Sequence, residues 1–129
     1  MTVIGQTIVS EVVSSSGNFT SVYTPWFPRQ GNNVTSSFEV IAIEGSDAKL
    51  TVEMLEKDST DTGNGTVKSA TNNFRTSVGV TSFRETDCKE LVRYKVTLGT
   101  SFPASGTYVL SAHFRILAPS WETTGAQGV

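Results

Sequence analysis

The sequence has few of the residues that carry chemistry. Its 129 residues include one cysteine, one histidine, four prolines and only 17% charged side chains. A single cysteine excludes an internal disulfide, and one cysteine with one histidine supplies too few soft ligands for zinc. The N-terminus lacks the basic start and apolar segment of a signal peptide, and no apolar run is long enough to cross a bilayer. We therefore expect a protein made in a reducing cytoplasm, with no membrane partner.

Charge of one sign is not concentrated anywhere in the sequence. The net charge is −2, the pI is about 5.3, and no basic stripe is visible. Nucleic-acid binding needs clustered cations to neutralise phosphates, so nucleic acid is not an expected partner. Serine, threonine, asparagine and glycine replace the missing charges, a balance typical of a β-protein with many turns.

The clearest pattern present is an alternation of apolar and polar residues along residues 90–117. This period of two places each set on its own face of a strand. Pro103 and Gly106 interrupt the pattern, which predicts two strands joined as an antiparallel hairpin. We expect the apolar set to form the core together with three residues of an earlier strand. The predicted core residues are Leu50, Val52, Met54, Val92, Tyr94, Val96, Leu98, Leu110, Phe114 and Ile116.

The rest of the chain predicts further strands and no helix, because no stretch of a dozen residues shows a 3.6-residue period. The predicted strands cover residues 2–13, 19–23, 34–43, 49–57, 67–74 and 77–83. The strand at 34–43 has apolar residues in both phases, which predicts cover on both faces. About eight strands indicate one all-β domain at residues 1–118, an antiparallel β-sandwich of jelly-roll or immunoglobulin-like topology. Pro119 then ends the last strand and starts a loose tail, residues 119–129.

The candidate catalytic residues have no recognisable catalytic partners in the sequence. His113 falls in the polar phase of its strand, and no Gly-x-Ser-x-Gly nucleophile turn is present. Cys88 has Asp87 and Glu90 nearby in sequence, and their charges would raise the thiol pKa. These features predict a non-enzymatic protein without a cofactor.

The loop after residue 57 supplies the one metal candidate. Asp58, Asp61 and Asn64 offer oxygen ligands at spacings that calcium could use. The loop does not match the EF-hand pattern, and no acid closes it. We interpret it as a solvated loop, with calcium as the alternative.

Four large aromatic residues fall at loops or strand ends: Tyr23, Trp26, Phe27 and Trp121. Prolines on both sides of Trp26 restrain its loop, so this side chain can be presented at a low cost in ordering entropy. Trp121 lies in the tail, which has too few apolar residues to pack alone. These aromatics are candidate binding residues, either for another protein or, by stacking, for sugar rings.

Taken whole, the chain resembles small β-sandwich structural proteins of tailed bacteriophages and prophages, of the head-decoration or virion-surface type. The resemblance rests on a start that leads directly into a strand, on turns rich in Ser, Thr and Gly, and on the segments Ala-Pro-Ser-Trp and Gly-Ala-Gln-Gly-Val near the end. It implies a structural protein that binds its own copies or a larger assembly such as a virion. A carbohydrate-binding, lectin-like domain that uses the same aromatics is the alternative.

Overall fold

A computed structural model describes residues 7–16, 19–45, 47–68, 73–100 and 109–122. These residues form eleven β-strands in two antiparallel sheets that pack against each other. The strands are β1 (Thr7–Ser16), β2 (Phe19–Tyr23), β3 (Phe27–Pro28), β4 (Asn33–Glu44), β5 (Ala48–Lys57), β6 (Thr66–Val67), β7 (Phe74–Arg75), β8 (Gly79–Glu85), β9 (Leu91–Thr100), β10 (Val109–Leu117) and β11 (Ser120–Glu122). The prediction of an all-β sandwich is confirmed.

The two sheets divide the strands in alternation along the chain. In the first sheet β10 lies between β1 and β4, and β4 also pairs with β8 and with the short β11. In the second sheet β9 lies between β2 and β5, with β3 beside β9 and with β6 and β7 beside β5. Consecutive long strands therefore lie in different sheets and do not pair with each other.

The pairing is nested, which identifies the topology. β1 pairs with β10, β2 with β9, β4 with β8, and β5 with the short β6 and β7. Successive outer pairs enclose inner ones, as if one long antiparallel ribbon were rolled into two sheets. This nested order is that of a jelly roll, the first of the two topologies left open by the sequence.

The predicted hairpin between β9 and β10 is wrong. β9 pairs with β2 and β5 in one sheet, whereas β10 pairs with β1 and β4 in the other. Alternation fixes which face of a strand is buried, but it carries no information on which strand lies alongside. The two halves of the pattern therefore face each other across the core instead of sharing an edge.

The predicted core is confirmed, because all ten of its residues are at most 1% exposed. The expectation that the strand at 34–43 is covered on both faces is wrong. Phe38 and Val40 are fully buried, whereas Ile41 is 40% exposed. His113 on β10 pairs with Ala42 on β4, whereas the next residue, Phe114, pairs with Val40. Ile41 therefore has no partner on β10 and is the extra residue of a β-bulge.

The prediction that no strand lies in the tail is wrong. Ser120–Glu122 forms β11 and pairs with β4, with Trp121 opposite Val34. Trp121 is partly buried and packs against the core of its own chain, and Arg84 Nε donates to Glu122 Oε2 at 2.8 Å. The sandwich therefore includes residues 120–122. Residues 123–129 of the predicted tail lie outside the described residues.

One buried hydrogen bond joins the two sheets. The hydroxyls of Ser36 on β4 and Tyr94 on β9 lie 2.6 Å apart, and both residues are at most 1% exposed. Burial raises the pKa of the Tyr94 phenol well above its usual range, against the smaller effect of the bond from Ser36. The phenol therefore stays neutral and pairs with Ser36 within the core.

Candidate functional site

A break in strand pairing brings Trp26 onto the outer face of the second sheet. β2 pairs with β9 as far as Tyr23 opposite Lys95, and β3 resumes with Phe27 opposite Val92. Thr24 spans the break: its N–H donates to Tyr94 O at 3.0 Å, and its Oγ1 accepts from Tyr94 N–H at 2.9 Å. Two residues, 25 and 26, then lie opposite one position of β9, which is the arrangement of a β-bulge.

The residue at that position of β9 is Arg93. Its guanidinium carbon lies 4.5 Å from the ring centroid of Tyr23 and 4.5 Å from that of Trp26. Its Nε is buried without a hydrogen-bond partner. Tyr23 is 50% exposed and Trp26 is partly buried. Cation–π contact with two rings therefore stands in for the missing hydrogen bond and orients the Arg93 side chain.

Other cations extend this surface along β5 and β9. Lys57 Nζ lies 4.6 Å from the Trp26 centroid, Lys95 Nζ lies 5.9 Å from the Tyr23 centroid, and Lys49 Nζ lies 4.9 Å from the Phe74 centroid. Glu53, opposite Lys95 across the strands, is the one carboxylate among the outward positions of β5 and β9. We call this surface the cationic face: Lys49, Lys57, Arg93 and Lys95 with the rings of Tyr23, Trp26 and Phe74.

The four aromatic residues predicted to bind do not form one site. Tyr23 and Trp26 share the cationic face, whereas Phe27 points inward and packs on Tyr94 with a centroid distance of 5.9 Å. Trp121 belongs to the first sheet and packs on the core. Arg93 and the lysines were not predicted, because in sequence each is an ordinary polar residue of an alternating strand. The signal that could have found them is the shared outward phase of Arg93 and Lys95 beside Tyr23.

The candidate metal loop is organised by its own backbone. Asp61 Oδ2 accepts from the N–H of Asp58 at 3.0 Å, and Asp61 N–H donates to Asp58 O at 3.0 Å. Asn64 is exposed in the same loop. Across the described residues, no group of three His, Cys, Asp or Glu side chains is placed to hold a metal ion.

The structure puts Cys88 in the core, where it is 1% exposed and free. Burial is the largest cause that raises the pKa of its thiol, and the acids that add to this effect are Glu56 and Glu85. The direction predicted from sequence holds, but its cause does not involve Asp87 or Glu90. A buried neutral thiol has little nucleophilic character.

An open depression of about 300 Å³ lies beside the turn between β4 and β5. It is lined by Ile43, Gly45, Asp47, Ala48 and Thr76. Among the described residues that line it, Asp47 is the single ionisable side chain.

An apolar patch occupies one side of the first sheet. Val78 is 60% exposed, Val80 is 52% exposed and Ile41 is 40% exposed. Val80 lies opposite Glu39 on β4 and Gly79 lies opposite Val40, and Val78 and Ile41 each adjoin this last pair in sequence. We call these three residues the valine patch.

Arg75 shapes the backbone beneath the valine patch. Its guanidinium donates to Val78 O at 3.1 Å, to Val80 O at 3.2 Å and to Thr81 Oγ1 at 3.1 Å. Gly79 has φ +148°, and a Cβ there would overlap the Arg75 guanidinium. β8 has β4 as its one strand partner among the described strands, and Arg75 satisfies the carbonyls at the start of its other edge. Arg75 therefore occupies the carbonyls of Val78 and Val80, while the side chains of the patch are exposed.

No protein-family model matches the chain, and no curated protein matches it significantly. Among the residues described, no helix has the length and apolar character needed to cross a membrane.

Proposed function

We propose that this protein is a non-enzymatic structural protein that assembles with its own copies through protein–protein contacts. The valine patch is the observation that carries the proposal. Three β-branched side chains, Ile41, Val78 and Val80, are between 40% and 60% exposed at or beside β8, whose one strand partner among the described strands is β4. Exposed apolar edges favour association, and soluble monomers commonly protect them with charges or cover.

The fold is compatible with this role but does not distinguish it from other roles. Jelly rolls occur in viral capsid domains, in lectins and in cupins, and a fold alone does not imply a function. A cupin metal site needs several histidines, whereas this chain has one. A component of a virion surface, of the type that the sequence resembles, is the setting that we propose for the assembly.

We no longer propose Trp26 and Trp121, two of the candidate binding residues, as the contacts between copies. Trp121 contacts the core of its own chain and therefore has an intramolecular partner. Trp26 has two cations of its own chain within 4.6 Å of its ring centroid. The valine patch replaces both as the proposed contact between copies.

The test is sedimentation velocity over a range of concentrations on the wild type and on Val80→Lys. Placing a lysine on the patch removes apolar area and adds like charges across a symmetric contact. Full burial of a valine contributes about 1.5–3 kcal/mol, and Val80 is 52% exposed, so the lost burial together with the added charges should weaken self-association by about tenfold.

Val67→Lys is the matched control. Val67 lies on the second sheet and is 51% exposed, against 52% for Val80. The proposal requires Val67→Lys to assemble like the wild type while circular dichroism shows both variants folded. A wild type that stays monomeric, or equal effects of the two substitutions, would overturn it.

A further inference from the structure

The cationic face concentrates positive charge in a chain whose net charge is negative. Four of the ten basic side chains lie on it, and among the outward positions of β5 and β9 Glu53 is the one carboxylate. Lys49 and Lys57 are eight residues apart on β5, which corresponds to about 27 Å of strand. A charged row of this length fits an extended polyanion better than a single small anion.

The aromatic rings restrain these cations. Arg93 contacts two rings, Lys57 contacts Trp26, and Lys49 contacts Phe74. The Trp26 ring lies close against Gly65, because a Cβ added at Gly65 would come within 2.6 Å of Trp26 Cη2. Side chains that are already oriented lose less conformational entropy when a ligand binds. The cations are therefore prepared for contact with anions.

The rings are poorly placed to stack on a ligand. Trp26 has Arg93 and Lys57 within 4.6 Å of its centroid, so cations of its own chain occupy its π surface. Binding of single-stranded nucleic acid draws about 1–3 kcal/mol per base from stacking on free ring faces. This arrangement disfavours nucleic acid and also disfavours a neutral sugar that binds by stacking alone.

Hydroxyl groups lie next to the cations in register. Thr51, Thr97 and Ser21 face one another across β5, β9 and β2, and Ser21 Oγ lies 3.1 Å from Thr97 Oγ1 at the exposed surface. The next row across the same strands holds Glu53, Lys95 and Tyr23. Hydroxyls that both donate and accept suit the hydroxyls of sugars, while the cations suit carboxylate or sulfate groups.

We propose that the cationic face binds an acidic polysaccharide, a polymer of sugars that bear carboxylate or sulfate groups. Lys57, Arg93 and Lys95 pair with the anions, and the Ser21–Thr97 row bonds to sugar hydroxyls. This activity uses the second sheet, whereas the proposed assembly uses the first, so each can hold without the other.

Isothermal titration calorimetry with a sulfated oligosaccharide and with an oligouronate tests the proposal, with neutral dextran, oligo(dT) and poly-glutamate as parallel titrants. We expect both acidic glycans to bind, with an affinity that falls as salt screens the ion pairs. Arg93→Gln and Lys57→Gln should each weaken binding by about twofold to fivefold, the range of exposed ion pairs. Lys89→Gln removes one exposed charge outside the face and should change nothing.

Circular dichroism establishes that each variant is folded, and Lys57→Gln keeps the test valid if loss of Arg93 disturbs the sheet. Absence of binding to both acidic glycans would overturn the proposal. Tighter binding of oligo(dT) would identify a nucleic-acid surface, and tighter binding of poly-glutamate a surface for acidic proteins, and either result overturns it. Salt-insensitive binding to dextran would also overturn the proposal, and so would equal losses of affinity in Arg93→Gln and Lys89→Gln.

Discussion

The hydrogen bond between Tyr94 and Ser36 should make a measurable contribution to stability because it is buried between the two sheets. The two hydroxyls are 2.6 Å apart, and both residues are at most 1% exposed. Tyr94→Phe removes one partner and leaves the Ser36 hydroxyl buried without its bond. An unsatisfied buried hydroxyl costs about 1–3 kcal/mol, so we expect this loss in the free energy of unfolding.

The reverse substitution, Ser36→Ala, should cost a similar amount by stranding the phenol. The double variant replaces both partners with apolar groups, which can be nearly neutral. We therefore expect the double variant to be more stable than the sum of the single losses predicts, by about 1–2 kcal/mol. Urea unfolding with an unchanged m-value is the assay.

An exposed pair gives the control. Ser37 Oγ and Ser82 Oγ lie 2.7 Å apart between β4 and β8, but at the solvent-exposed surface. Water replaces either partner there, so the cycle of Ser37→Ala and Ser82→Ala should show coupling near zero. If Tyr94→Phe costs less than about 0.5 kcal/mol, as surface changes do, or if its loss adds simply to that of Ser36→Ala, the reasoning is refuted.

The same phenol predicts a dependence on alkaline pH. Burial raises the pKa of Tyr94, so above about pH 10 the unfolded chain releases a proton that the folded chain retains. Stability should therefore fall as the pH rises above 10, with a slope of up to about 1.4 kcal/mol per pH unit. Burial also raises the pKa of Cys88, so the comparison with Tyr94→Phe belongs in a Cys88→Ala background. An unchanged slope in Tyr94→Phe would contradict the prediction.

Three further predictions concern packing and backbone geometry, and each is measured by denaturant unfolding. Phe114→Ala should cost about 3–5 kcal/mol because the ring is fully buried, and a loss below about 1 kcal/mol would mean that the strand phase is inverted. Trp121→Ala should lower the free energy of unfolding by about 2 kcal/mol, since the ring is partly buried on the core. An unchanged free energy of unfolding would support the original prediction that residues 119–129 form a loose tail. Gly79→Ala should destabilise through overlap with Arg75 and an unfavourable φ, while Gly63→Ala, where a Cβ would meet no atom within 4 Å, should be close to neutral; equal effects would argue against the backbone explanation.

The candidate site shows the limit of the sequence pattern clearly. Tyr23 and Trp26 were predicted as binding residues, but their main contact, Arg93, is seventy residues from Tyr23 and gave no signal of its own. The contact exists because β2 pairs with β9 and because a bulge opposite Arg93 carries Trp26 outward. Similarly, the low charge of the sequence gave no hint that four cations would share a face. Strand pairing, which is non-local, decides such groupings.

The sequence by itself determined the secondary structure class and the inward face of each central strand. The period of two separates more buried from more exposed side chains along residues 49–54, 91–98 and 110–117, and burial of the apolar set is favourable in any arrangement of the strands. Only the tertiary structure decided the neighbours: that β9 and β10 lie in different sheets, that Ser120–Glu122 adds to β4, and that Ile41 is left exposed by a bulge. The physical reason is that side-chain alternation is a property of one strand, whereas backbone hydrogen bonding between strands is nearly the same for every partner, so the choice of neighbour rests on packing across the whole core.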